Sequence, residues 1–255
     1  MSVELTELCQ YLDQCLQPQR FKDYCPNGLQ VEGRARVLRL ATGVTACQPL
    51  LDAAVAWGAD ALLVHHGYFW RGESEQIVGM KRRRLGTLLA NDLSLLAYHL
   101  PLDAHPELGN NACLGKLLGF DHRDQAPLQP DAVDGLGNIG ELAEAVPVQQ
   151  VIAQLAEITG REPLHVGDPG ALVRRIAWCT GAAQGYIDAA VRAGADLYIT
   201  GEASEQTVHT AREEGIGFIA AGHHATERYG VQAVGEHLAA HYSLEHRFID
   251  IDNPV

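Results

Sequence analysis

Hydrophobic positions in this chain fall into short runs that alternate with amphipathic stretches. The first segment, MSVELTELCQYLDQ, spaces its apolar residues as one face of a helix. Apolar runs at 37–44 and 61–64 predict strands. Between them, 48–57 is helical in pattern, with apolar residues at 50, 51, 54 and 55. A helix over 75–91, a strand over 93–100 and a helix over 110–119 follow. The same grammar returns later: strands at 173–179, 197–199 and 216–221, and helices at 184–193, 204–214 and 225–241. Gly58 and Gly194 stand where a helix C-cap glycine belongs. Between the two series, a polar, proline-containing linker (DHRDQAPLQPDAVDG) leads to a strand at 136–143, a helix at 147–158 and a strand near 163–166.

The two series are related in sequence. VLRLATGVTACQPLLDAAVAWGADALLVHH at 37–66 aligns without a gap to VRRIAWCTGAAQGYIDAAVRAGADLYITGE at 173–202, an offset of 136 residues. Val37, Arg39, Ala41 and Gln48 recur as Val173, Arg175, Ala177 and Gln184, and DAAV and GAD recur intact. So many gapless matches indicate duplication of one unit. Strand–short helix–strand is a βαβ unit, so the strands run parallel. The expected fold is α/β, with two similar α/β domains from an internal duplication. They should span 1–125 and 126–255.

Composition adds exclusions. The chain has 255 residues, 47% hydrophobic and 20% charged, which excludes disordered, collagenous and disulfide-dense classes. A net charge of −13 argues against capture of nucleic acid or of an anionic membrane. No apolar run approaches the roughly 20 residues of a spanning helix, and the acidic N-terminus lacks the basic region of a secretory signal. The six cysteines, Cys9, Cys15, Cys25, Cys47, Cys113 and Cys179, form no CxxC pair. They read as free buried thiols in a reducing cytoplasm. The basic run Lys81–Arg84 reads as a solvated helix face.

The candidate chemistry sits where predicted strands end. One strand ends in His65-His66-Gly67, another in His99 followed by Asp103 and His105, and a third in Gly222-His223-His224 followed by Glu227. Open α/β sheets bind ligands beyond the carboxyl ends of their strands. His223 and Glu227 are four residues apart at a helix start, so they share a face. His65, His66, Asp103, His223 and Glu227 together supply three imidazoles and two carboxylates. That is enough for two divalent ions with positions left for water. Mixed nitrogen and oxygen donors suit Zn, Fe, Mn, Co or Ni rather than calcium or a closed structural zinc. His99 and His224 then read as outer groups or packing.

Other patterns do not hold. His237 and His241 are also four apart, but they lie mid-helix without an acid in register and read as a solvated face. Gly135, Gly137 and Gly140 match GxGxxG but form a strand instead of following one. GNNACLGK at 109–116 has the wrong glycine spacing for a P-loop, and no GxSxG occurs. Tyr68, Phe69 and Trp70 fit either substrate stacking or packing.

LLVHHGYFW, YHLPLDAHPELGNN, TGEASEQTVHTA and AAGHHATERYG, with PNGLQVEG at 26–33, resemble motifs of the Nif-three-like family, often labelled GTP cyclohydrolase 1 type 2. At this length the chain is similar to the short, YbgI-type bacterial members. The resemblance implies a two-domain α/β subunit, a dinuclear metal centre between the domains and a ring-shaped homohexamer with its sites facing inward. By motif, it places the ligands at His65, His66, Asp103, His223 and Glu227, the same five residues.

Two function classes fit this ligand set. One is a metal-dependent hydrolase, in which adjacent ions activate water and polarise the atom it attacks. On GTP, attack at C8 would open the purine imidazole ring and release formate. His99, His105 and His224 are the candidate acid/base groups. Asn110 and Asn111 could hold a polar group or bind an anion, or Asn110 could cap its helix. Arg71, Arg228 and the 81–84 run are the candidate substrate cations. The other class is a metal-binding scaffold, metallochaperone or interaction protein with little turnover.

Overall fold

In the computed structural model, which describes residues 2–121, 124–129 and 135–255, each predicted strand–helix–strand unit forms. The first half runs β1 (Val3–Glu4), α1 (Leu5–Leu16), β2 (Gly28–Val31), β3 (Arg36–Val37), β4 (Arg39–Thr45), α2 (Gln48–Trp57), β5 (Ala61–His66), α3 (Gly79–Ala90) and β6 (Ser94–Ala97). Next come α4 (Leu100–Ala104), α5 (Asn110–Leu117), β7 (Gln125–Pro127), β8 (Asn138–Pro147), α6 (Val148–Thr159) and β9 (Leu164–Val166). The remainder is β10 (Leu172–Cys179), α7 (Ile187–Arg192), β11 (Leu197–Thr200), α8 (Glu205–Glu214), β12 (Gly217–Ala220), α9 (His223–Thr226), α10 (Arg228–Tyr242) and β13 (Glu245–Phe248). The fold is mixed α/β. Among the described residues no helix is long and apolar enough to cross a membrane.

The first compact unit comprises Met1–Leu102 and Gly230–Asp252. Its five-stranded sheet has the order β13-β4-β5-β6-β2. The β4–β5, β5–β6 and β13–β4 pairs are parallel, and β2 is antiparallel to β6. The central strand β5, ALLVHH, is buried along its first five residues, as expected of a parallel strand covered on both faces. Leu50, Leu51, Leu62, Val64, Leu88 and Leu95 make much of its core. Helix α1 buries Leu5, Leu8, Leu12 and Leu16 along one stripe.

The second unit comprises Asp103–Tyr229 and Asn253–Val255, with sheet order β7-β8-β10-β11-β12-β9. Here β10–β11 and β11–β12 are parallel, while β8, β9 and β7 join antiparallel. Trp178 is fully buried and stacks on Phe120 at 5.0 Å. Its indole N–H donates to the Asn111 carbonyl at 2.8 Å, which satisfies the ring's one polar atom.

The repeated residues have repeated jobs. Gly58 and Gly194 end their helices at φ 78° and 68°, a left-handed position that glycine adopts without strain. Asp60 Oδ2 accepts the backbone N–H groups of Leu38 and Arg39 at 2.9 Å. Asp196 Oδ2 accepts those of Arg174 and Arg175 at 2.9 and 2.8 Å. The order β4-β5-β6-β2 is matched by β10-β11-β12-β9. Because these bonds lie near solvent, Asp60→Ala and Asp196→Ala should each destabilise by about 1 kcal/mol. Urea denaturation checks this, and markedly unequal losses would contradict equivalent roles.

Several sequence expectations are corrected. The chain leaves the first unit at Leu102, not near 125, and returns to it at Gly230. The return is driven by β13, which adds in parallel to β4 with Glu245 opposite Arg39. The linker expected over 121–135 falls partly outside the described residues, at 122–123 and 130–134; within it, Gln125–Pro127 forms β7. The helix expected over 75–91 begins only at Gly79. The helix expected over 225–241 is two, broken at Glu227. Of the six cysteines only Cys25 and Cys179 are buried.

Candidate metal centre

In the first unit the donors gather at the carboxyl end of β5. His65 is fully buried, and its Nδ1–H donates to the Tyr98 carbonyl at 3.0 Å. A carbonyl only accepts, so the ring carries its lone pair on Nε2, the tautomer required of a metal ligand. His66, half-buried, bonds Thr45 Oγ1 through Nδ1 at 3.1 Å. The two rings lie 4.5 Å apart, and His99 is 5.1 Å from one and 5.6 Å from the other. Each of the three offers a ring nitrogen within 4.8 Å of the others.

His99 is held by a residue the sequence reading missed. Asp23 Oδ1 lies 2.7 Å from His99 Nδ1, and the same carboxylate accepts N–H groups from Tyr24, Asn27 and Leu100. Burial alone would raise the Asp23 carboxyl. The hydrogen bonds from His99 and Asn27, the His99 charge and the Tyr24 N–H outweigh it and bring the carboxyl down to about 2. Trp70 closes a side of this cluster, 5.0 Å from the His99 ring, with its indole N–H on the Gly67 carbonyl. Tyr68 is core packing, its hydroxyl donating to the Ala46 carbonyl. Phe69 is partly exposed under the Lys81 ammonium.

In the second unit Asp103, His223 and Glu227 are the expected donors. Asp103 is buried, and its Oδ1 accepts from Asn110 Nδ2 at 2.8 Å. Asn111 Nδ2 donates to the Asp103 carbonyl, and its Oδ1 accepts the Thr180 N–H at 3.0 Å. The two asparagines therefore position Asp103, and Gly109 occupies the cap position before α5. His223 Nδ1–H donates to Glu202 Oε1 at 2.7 Å, while Nε2 faces Glu227 Oε2 at 3.2 Å. Burial would lower the His223 ring; Glu227 and Glu202 together outweigh it and raise it to about 9. Nε2 thus faces a buried carboxylate, with a second carboxylate behind the ring. That is the donor chemistry of a carboxylate–histidine–metal arrangement. The residues present fit a metal.

Glu202 and Gly181 were also missed. By the 136-residue offset Glu202 is the counterpart of His66, so the repeat marks its position but not its role. Gly181, at φ 71°, leaves room for the Glu227 carboxylate, which a Cβ there would strike. Gly181→Ala should weaken metal affinity about tenfold or more, as read by competition with a chelator; unchanged affinity would show that Glu227 is not held this way. The Cys179 thiol at the end of β10 is buried, and burial with the Asp103 and Glu227 charges pushes it well up.

The remaining candidates have structural partners. His105 Nδ1 accepts the N–H groups of Glu107 and Leu108 and shapes the turn before α5. His224 is buried, and its backbone N–H donates to the Val255 carbonyl. Arg71 donates to the Asp23 carbonyl, and Arg228 to those of Ile158 and Thr159. His237 is not simply solvated. It bonds the Tyr11 hydroxyl at 2.6 Å, and Tyr11 stacks on His241 at 4.4 Å.

The Duf34/NIF3 (NGG1p interacting factor 3) family model matches residues 3–254. The GTP cyclohydrolase 1 type 2 homolog of Pseudomonas aeruginosa is 58% identical over 255 residues, covering all of both chains. That of Escherichia coli K12 is 54% identical over 252 residues, 98% of this chain and 99% of the relative. Among solved structures, the protein ybgI is 53% identical with a TM-score of 0.93, over 99% of this chain and 100% of that one. A protein from Thermus thermophilus is 35% identical with a TM-score of 0.86, over the same shares. With a family model spanning nearly its whole length, this chain belongs to the Duf34/NIF3 family.

Proposed function

We propose that the protein is a divalent-metal-dependent hydrolase whose centre holds two ions on His65, His66, Asp103, His223 and Glu227. The observation that carries this reading is the Glu202–His223–Glu227 relay, a ring pinned by one carboxylate with its other nitrogen against a second. When bound, the metal supplies an activated water and a polarised target atom at neutral pH. The chain's own groups do the rest. Tyr98 and Glu202 fix the tautomers of His65 and His223. Asn110 and Thr180 aim the Asp103 carboxylate. Asp23 orients His99, which moves a proton at its Nε2. GTP is the first substrate to test, because the relatives' name points to it.

Purified protein is screened for hydrolysis of nucleotides and phosphoesters, before and after chelation and metal return. Metal-restored turnover, with formate release if GTP is the substrate, supports the reading. Full metal loading with no turnover on any substrate favours a metal-binding scaffold. The proposed assembly is a homohexamer, which light scattering would report as six chain masses; a single chain mass at micromolar concentration would overturn it.

A further inference from the structure

On the second unit a cleft of about 580 Å³ is bounded by Arg161, Leu164, Gly201, Glu202, Ala203 and Pro254. That volume suits a small metabolite or part of one. Glu202 connects it to the proposed centre, since its Oε1 is the acceptor for His223 Nδ1–H. The cleft therefore lies against the outer side of a candidate ligand.

Arg161 is the unusual group in its wall. It follows Gly160, which ends α6 at φ 72° and fixes where the arginine emerges. Its guanidinium packs on Gly222, where an added Cβ would come within 2.7 Å of Nη1 and 2.9 Å of Cδ. The glycine before His223 thus makes room for this arginine. Nη1 is buried and makes no hydrogen bond. Elsewhere in this unit Arg228 bonds the Ile158 and Thr159 carbonyls, and Arg174 and Arg175 pair with Glu141. The side chain also lines the cleft, and a guanidinium there suits an oxyanion, which it binds through charge-assisted hydrogen bonds. Glu202 Oε1 is taken up by His223 Nδ1–H, and Glu162 at the rim is exposed.

We propose that this cleft is an anion subsite, in which Arg161 receives the phosphate or carboxylate group of a small-molecule ligand beside His223. It rests on the reading of His223 as a metal ligand and narrows the substrate to an anionic metabolite. The apolar wall of Leu164 and Pro254 would cover the uncharged part of the ligand.

The test uses the full chain, treated with chelator so that an anion cannot bind through metal. Inorganic phosphate and malonate are titrated separately by calorimetry. Wild type should bind at least one of them with a Kd near millimolar, and Arg161→Gln should weaken it about tenfold or more. Arg161→Lys keeps the charge but loses the planar fork, so it should fall between the two; it also covers the case in which glutamine disturbs the end of α6. Arg36→Gln, exposed on the first unit and paired with Glu4, should change nothing. Preference for phosphate assigns a phosphorylated ligand, and preference for malonate a carboxylate. Equal binding by wild type and Arg161→Gln, or no binding of either anion, overturns the proposal. Metal content of Glu227→Gln reports separately on the centre itself.

Discussion

Glu227→Gln should lower divalent-metal affinity about a hundredfold or more while the protein stays folded. Glutamine keeps the shape and loses the charge, so it is a poor ligand for a borderline cation. The side chain is almost fully buried and faces His223 Nε2 at 3.2 Å, so water has little room to substitute for it. His237→Ala is the matched control: this histidine is also paired four residues along a helix, but its partner is the Tyr11 hydroxyl. Metal content after reconstitution, with circular dichroism on the same samples, decides the matter. Equal loss in both variants would show that metal is held elsewhere.

Asp23→Asn should destabilise the first unit by about 2–3 kcal/mol at neutral pH and flatten its acid dependence. The carboxylate accepts from Tyr24, Asn27, His99 and Leu100. Its carboxyl lies at about 2 in the folded protein, against about 4 in an unfolded chain. A depressed carboxyl contributes stability that is complete above the unfolded value and lost as pH falls from about 4 through about 2. Wild type should therefore lose this increment between those pH values, and the asparagine variant should lack it throughout. Urea midpoints at pH 7, 4 and 2.5 measure it. Parallel curves for the two proteins would contradict the assignment.

Much of the fold was legible because local chemistry and tertiary role coincide. Helix α2 begins and ends where the pattern predicts, with Pro49 in its first turn and Gly58 at its end. The HH pair closes a strand that is apolar to its last residues, so its place at a sheet end followed from sequence. Strand β13, EHRF, was not legible. It is a half-exposed edge strand with charged residues, and its pairing with β4 depends on contacts 206 residues apart, as between Arg39 and Glu245. The division of the chain into units was misjudged for that reason. Helix α3 starts late because Lys81 turns back to the Ser74 carbonyl and Glu73, which ties 73–78 into a loop.

The candidate ligands were legible because adjacent histidines and acids after apolar runs are a local signal. The groups that aim them were not. Asp23 lies 76 residues from His99, and Glu202 lies 21 from His223. Neither spacing marks a motif. No motif marks Arg161, whose packing on Gly222 joins residues 61 positions apart.

The most direct test of the central claim is elemental analysis of wild-type protein, reconstituted with divalent metal and desalted. The account predicts about two ions per chain, one needing both His65 and His66 and the other lost with Glu227. One ion per chain, or none retained, would contradict the dinuclear centre.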